Sequence, residues 1–250
     1  MSHTHPPPSS QSLIKGLILH DVVWSGVDLS ECAFTECAFT DADLSGADLR
    51  EAQFKHCQLV RCNFAQIDGR EARFDHCLLA DAATQNGANF AFARMEKAQF
   101  TDCDLTHARF EGADLYDADF TDCRLLGAKF GRARFYRTFG RTVVRTAGVF
   151  KRSNLELADV SELNLEGCDL TGARLRETDL SGANLTGACL RDVDLFGAVI
   201  DGARFAGADL RGADLSGLDL RCLATHQNMK ITPDQQFQLM VAMGVDVVAE

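Results

Sequence analysis

Large apolar residues recur at every fifth position along most of this chain. The slot is filled at Leu29, Phe34, Phe39, Leu44, Leu49, Phe54, Leu59 and Phe64, and again at Phe74 and Leu79. After one extra residue it runs from Phe90 through Phe100, Phe110, Phe120 and Phe130 to Phe135, and later from Leu155 to Leu220. A small residue stands two places before the large one. Neither the strand period of 2.0 nor the helix period of 3.6 divides this pattern. A five-residue unit of this kind turns two side chains inward and three outward, then changes direction. One unit cannot bury its own apolar face, whereas stacked units share a continuous core and pair their backbones. The pattern therefore predicts an all-β solenoid over residues 13–222. It is preceded by a disordered tail over 1–12 and followed by a C-terminal capping or dimerising helix within 223–250.

The unit is written most plainly as Ala42-Asp43-Leu44-Ser45-Gly46, Ala208-Asp209-Leu210-Arg211-Gly212 and Ala213-Asp214-Leu215-Ser216-Gly217. This motif resembles the pentapeptide-repeat family, and the resemblance extends from about Leu17 to Leu220. It implies a right-handed quadrilateral β-helix in which four repeats make one coil and residues twenty apart lie one above the other. Adjacent coils are then about 4.8 Å apart, the spacing of paired strands. On that basis Phe34, Phe54 and Phe74 form one column, and Phe90, Phe110, Phe130 and Phe150 another. The phase slip at 80–87 contains Asn86-Gly87, a pair suited to positive φ, and predicts a bulged corner. Phe150 keeps phase with Phe130, so the irregular stretch 136–152 either continues as a coil or loops out by a multiple of five, and a continuous coil with a distorted turn is expected.

An open solenoid end exposes core and strand edges and needs a cover. Thr232-Pro233-Asp234-Gln235 has the form of a capping box with Pro in the first turn, and Gly244 is placed to stop a helix. A helix from about Pro233 to Met243 is expected, with Phe237, Met240, Val241 and Val245 as an apolar stripe that covers the last coil or joins two chains. The tail is also similar to the dimerising C-terminal helix of quinolone-resistance pentapeptide proteins, which implies a homodimer.

Composition narrows the chemistry. With 46% hydrophobic and 24% charged residues the chain suits a folded protein, and its apolar runs are too short to span a bilayer. His and Pro stand at the start where a signal peptide would be apolar, so the cytoplasm is expected. Eight of the ten cysteines (Cys32, Cys37, Cys57, Cys62, Cys77, Cys103, Cys123 and Cys168) occupy the small inward slot, where Cys packs as a small hydrophobe. Glu36, His56 and His76 fall in one outer column below Lys97 and offer zinc-type ligands, but on a flat face; a solvated column and no metal or other cofactor are expected. No nucleophile, base or paired-carboxylate set stands out from the consensus Asp, so the expectation is a binding protein and not an enzyme.

A net charge of −11 argues against direct nucleic-acid binding. Sorted by a twenty-residue coil, Asp102, Asp119, Asp122, Asp159, Glu162, Asp179, Asp201 and Asp219 share one acidic face. Between Arg124 and Arg152 stand nine bases and no acid: Arg124, Lys129, Arg132, Arg134, Arg137, Arg141, Arg145, Lys151 and Arg152. With Tyr136 interleaved among them, they form a basic belt suited to an acidic partner. The family resemblance implies a protein partner. The leading expectation is a DNA-mimicking modulator of a DNA gyrase or topoisomerase; the alternative is a scaffold or adaptor of a larger bacterial assembly such as a secretion apparatus.

Overall fold

A computed structural model of the protein describes residues 6–81, 83–139, 143–246 and 248. The chain winds into a right-handed quadrilateral β-helix. One side of every coil carries the column Leu13, Ala33, Gln53, Arg73, Gln99, Asp119, Val149, Asp169, Cys189, Asp209 and Lys230, each paired in parallel with the next. We call this side A; sides B, C and D follow it in winding order. Short strands such as Ala33–Thr35 and Gln53–Lys55 lie on side A, and Ala38–Thr40 and Gln58–Val60 on side B. Each coil donates its backbone N–H groups to the carbonyls of its neighbours, as Leu59 does to Leu78, so little of the buried backbone is left unpaired.

The large slot points inward throughout, and Phe34, Phe54, Phe74, Phe90, Phe110 and Phe130 are fully buried. Phe34, Phe54 and Phe74 stack with ring centroids 4.9 Å apart, and Phe90, Phe110 and Phe130 with 5.1 and 5.0 Å. Columns facing each other across the core meet edge to face, as Phe110 and Phe120 do at 5.4 Å. The consensus Asp is a turn-former: Asp43 accepts from the Ser45 N–H, and Asp119 from the Thr121 N–H and hydroxyl.

The coil is interrupted twice, and both interruptions differ from the sequence expectation. Phe74 pairs with Phe100, 26 positions on instead of 20, so six extra residues enter between sides B and C. They form a small excursion, not a bulged corner: Ala80–Asp81 and Asn86–Gly87 pair antiparallel across it. Further on, Ala118 pairs with Gly148, 30 positions on. The ten extra residues leave the solenoid after side D as an antiparallel hairpin, Tyr136–Phe139 against Val143–Thr146, where a continuous coil was expected over 136–152. Ten residues are half a coil, so everything beyond the hairpin moves two sides round. Phe150 consequently stacks on Phe120 (5.2 Å, 7°) and meets Phe130 only edge-on (5.9 Å, 83°), outside the column in which it was placed.

The final coil gains one residue, with Arg204 paired to Thr225 and Asp209 to Lys230, and contains a 3₁₀ turn at Leu220–Cys222. The helix Pro233–Ala242 then covers it. Gln235 and Leu239 are the buried helix residues. The Gln235 amide donates to the carbonyls of Leu210 (2.7 Å) and Ala213 (2.8 Å) and accepts from the Thr232 N–H (2.7 Å). Gly244, at φ 78°, ends the helix in the left-handed conformation that Gly adopts without a Cβ clash.

Candidate functional site

The hairpin is where the structure gathers part of the basic belt. Its root is fastened by Arg137, whose guanidinium donates to Asp114 (2.5 Å) and Glu96 (2.9 Å) and lies 5.4 Å from the centre of the Tyr116 ring. Arg134 reaches the same Asp114 carboxylate at 3.5 Å. Arg145 lies over Phe139, with 5.5 Å between guanidinium carbon and ring centre. Tyr136, Phe139 and Val144 are left as exposed large side chains. Arg141, named in the belt, lies outside the described residues.

The remaining belt residues do not share this surface. A stretch of nearly thirty residues wraps a whole coil, which places Arg124 on side B, Lys129 on side C and Arg132 at the next corner. Lys151 and Arg152 stand on the following coil, paired with Asp169 (3.0 Å) and Asp122 (2.6 Å). The run without acids in sequence is thus met in space by acids from neighbouring coils. Of the described belt residues, Arg134, Tyr136, Arg137 and Arg145 belong to the hairpin and its root.

The expected single acidic face is also divided. Asp119 stands on side A, in register with Val149 and then Asp169, and Asp102 and Asp122 lie at the adjoining corner. Asp159 stacks on Lys129 and Asp179 on Asp159, which puts them on side C, with Glu162 and Asp201 at its edge and Asp219 capping the 3₁₀ turn. The cause is the hairpin: its half-coil insertion separates residues whose positions agree modulo twenty.

At the C-terminal end, the stripe assigned to capping faces away from the coil. Phe237 and Val241 are 53% and 52% exposed, Val245 is exposed and Met240 half-buried, while Gln235 and Leu239 do the covering. Buried Gln235 carries no apolar signal; the capping box was its only trace in sequence.

The outer histidine column is corrected too. The six-residue excursion brings Asp102, not Lys97, onto His76, whose ring nitrogens lie 2.7 Å from Asp75 and 3.1 Å from Asp102. Among the described residues no group of His, Cys, Asp and Glu is arranged to hold a metal ion. All ten cysteines are free, and the eight in the small slot are buried. Cys57, Cys77, Cys103 and Cys123 each point the sulfur at a backbone carbonyl of an adjoining coil, at 3.2–3.4 Å. Burial pushes the Cys62 and Cys168 thiols up to about 12, which leaves them protonated and unreactive at neutral pH.

The fold defines a repeat solenoid from which the hairpin projects and whose last coil the helix covers. Models of pentapeptide repeats match residues 19–63, 47–82, 86–122, 98–137, 153–192 and 188–221, and this protein belongs to the pentapeptide-repeat family. Among solved structures it is similar to full-length QnrB1, a plasmid-mediated fluoroquinolone resistance protein. Identity is 25%, over 94% of this chain and 100% of that one, with a TM-score of 0.73. A trypsin-treated point variant of QnrB1 superposes with a TM-score of 0.71 at 26% identity, over 95% and 100% of the two chains. No curated protein compared with the chain is significantly similar to it. No described helix is long and apolar enough to cross a membrane.

Proposed function

We propose that this protein is a non-catalytic, homodimeric binding solenoid of the cytoplasm whose partner is a type II topoisomerase such as DNA gyrase. The observation that carries this reading is the similarity to a fluoroquinolone resistance protein over 94% of this chain and the whole of that one. The two surfaces assigned to contact are the hairpin, with Arg134, Tyr136, Arg137, Phe139 and Arg145, and the outer face of the terminal helix. Division of the acids between sides A and C favours contact through these projecting elements over imitation of a complete DNA duplex. A net charge of −11 disfavours direct capture of DNA.

The helix gives the dimer its seam: Phe237 and Val241 are exposed on the helix and Val245 just beyond its end, with Met240 half-buried, and such exposed apolar side chains suit an interface core. Because Gln235 and Leu239 make the cap, the double substitution Phe237→Asp, Val241→Asp disrupts the seam and leaves the cap in place. Light scattering at micromolar concentration is expected to show a dimer for the parent chain and a monomer for the variant.

The partner is tested by adding purified protein to a gyrase supercoiling reaction inhibited by a fluoroquinolone. Restored supercoiling and direct binding to gyrase are expected. Failure of both sets aside the topoisomerase and leaves the scaffold or adaptor reading.

A further inference from the structure

The excursion at Asp81–Gly87 and side C enclose a cleft of roughly 430 Å³, within the range of small-molecule sites. Its lining includes Arg61, Asn86, Asn89, His107, Arg109 and Lys129, and contains no carboxylate, in a chain whose net charge is −11. The walls are held firmly. Asp81 anchors the base of the excursion by accepting from Arg61 (2.8 Å), the Thr84 hydroxyl (2.7 Å) and the Ala83 N–H (2.9 Å). At its other end Gly87 packs directly on the His107–Ala108 peptide, so close that a Cβ would come within 2.3 Å of the Ala108 nitrogen.

The cations in the cleft differ in availability. Arg61 is committed to Asp41 and Asp81. Arg109 touches Glu111 only through Nε, at 3.4 Å, which leaves its terminal amino groups, and Lys129 forms no ion pair among the described residues. Arg109 and Lys129 are direct partners on adjacent coils, so their backbones are about one strand spacing of 4.8 Å apart. His107 stands beside them at the corner, its ring against Gly127.

We propose that this cleft is a binding site for a small phosphorylated ligand, with Arg109 and Lys129 taking two adjacent phosphoryl groups and His107 a third contact. A guanidinium and an ammonium held side by side on rigid coils present convergent donors to tetrahedral oxyanions at little ordering cost. The site lies on side C, away from the hairpin and the terminal helix, and does not depend on the topoisomerase reading.

Calorimetric titration of the full-length chain with inorganic pyrophosphate, at about 50 mM salt to limit screening, tests the assignment. Saturable binding is expected, weakened at least about tenfold by Arg109→Ala, Lys129→Ala, since each charge-assisted contact is worth more than one decade of affinity. The charge-matched control Arg132→Ala, Arg174→Ala, at exposed positions outside the cleft, should bind as the parent does. Circular dichroism establishes that both variants are folded. No saturable heat at millimolar pyrophosphate, equal loss in the control, or equal binding of acetate would each overturn the proposal.

Discussion

Replacing Gln235 with Ala tests the account of the C-terminal cap. The side chain lies buried between helix and last coil and makes four hydrogen bonds, two to carbonyls of the coil and two accepted from the N–H and hydroxyl of Thr232. Truncation leaves the Ala213 carbonyl and the Thr232 N–H without a partner, while the Leu210 carbonyl keeps the Ala213 N–H at 3.0 Å; a buried polar group left unpaired costs about 1–3 kcal/mol. Water reaches the end of a solenoid more easily than its middle, so the lower figure applies to each of the two groups, and the expected loss is about 2 kcal/mol. The neighbouring Gln236 is exposed and should change stability by less than about 0.5 kcal/mol when made Ala. Gln235→Glu separates the amide's chemistry from its volume, because it keeps the shape but turns an acceptor toward two carbonyls. It should destabilise at neutral pH at least as much as Ala. Urea unfolding followed by circular dichroism gives the free energies. Amide exchange should accelerate at Thr232 while Leu59, deep in the stack, stays protected. Equal and small losses for Gln235→Ala and Gln236→Ala would show that the amide does not close the solenoid.

Phe110→Ala removes a ring stacked between Phe90 and Phe130 and should cost about 3–5 kcal/mol, broadening the unfolding transition because a solenoid is coupled only through nearest neighbours; an unchanged transition would contradict the stacked core. Arg137→Ala should free the hairpin from Glu96 and Asp114, which trypsin would report as faster cleavage at Arg145 with little change in overall melting. Hydrogen bonds from Arg211 to Asp209, and from Arg61 to Asp81, hold both carboxyls down at about 2. Their folded-state values lie below the ordinary 3.8, so their stabilisation is complete above about pH 4 and is lost as pH falls toward 2. Melting temperature should therefore be flat from about pH 5 to 7 and fall below that range; a maximum near pH 3 would refute the assignment.

The period-five pattern determined the solenoid by itself, because side chains that recur every fifth residue have no other way to be buried. The same rule placed the small-slot cysteines in the core and, with the capping box, located the terminal helix to within a residue of its observed end. Tertiary structure decided everything that depends on counting coils. The sequence shows a phase slip only modulo five, so an excursion of six residues looks like one of one, and a ten-residue hairpin leaves no phase mark at all. Those lengths decide that Asp102 and not Lys97 faces His76, that Phe150 joins Phe120, and that Asp119 and Asp159 lie on different sides. They also decide that Arg137 meets Asp114 and Glu96, and that Arg109 and Lys129 converge beneath the first excursion. Burial follows from local periodicity, whereas surface chemistry on a solenoid follows from the exact number of residues in every coil below, and two insertions are enough to rearrange it.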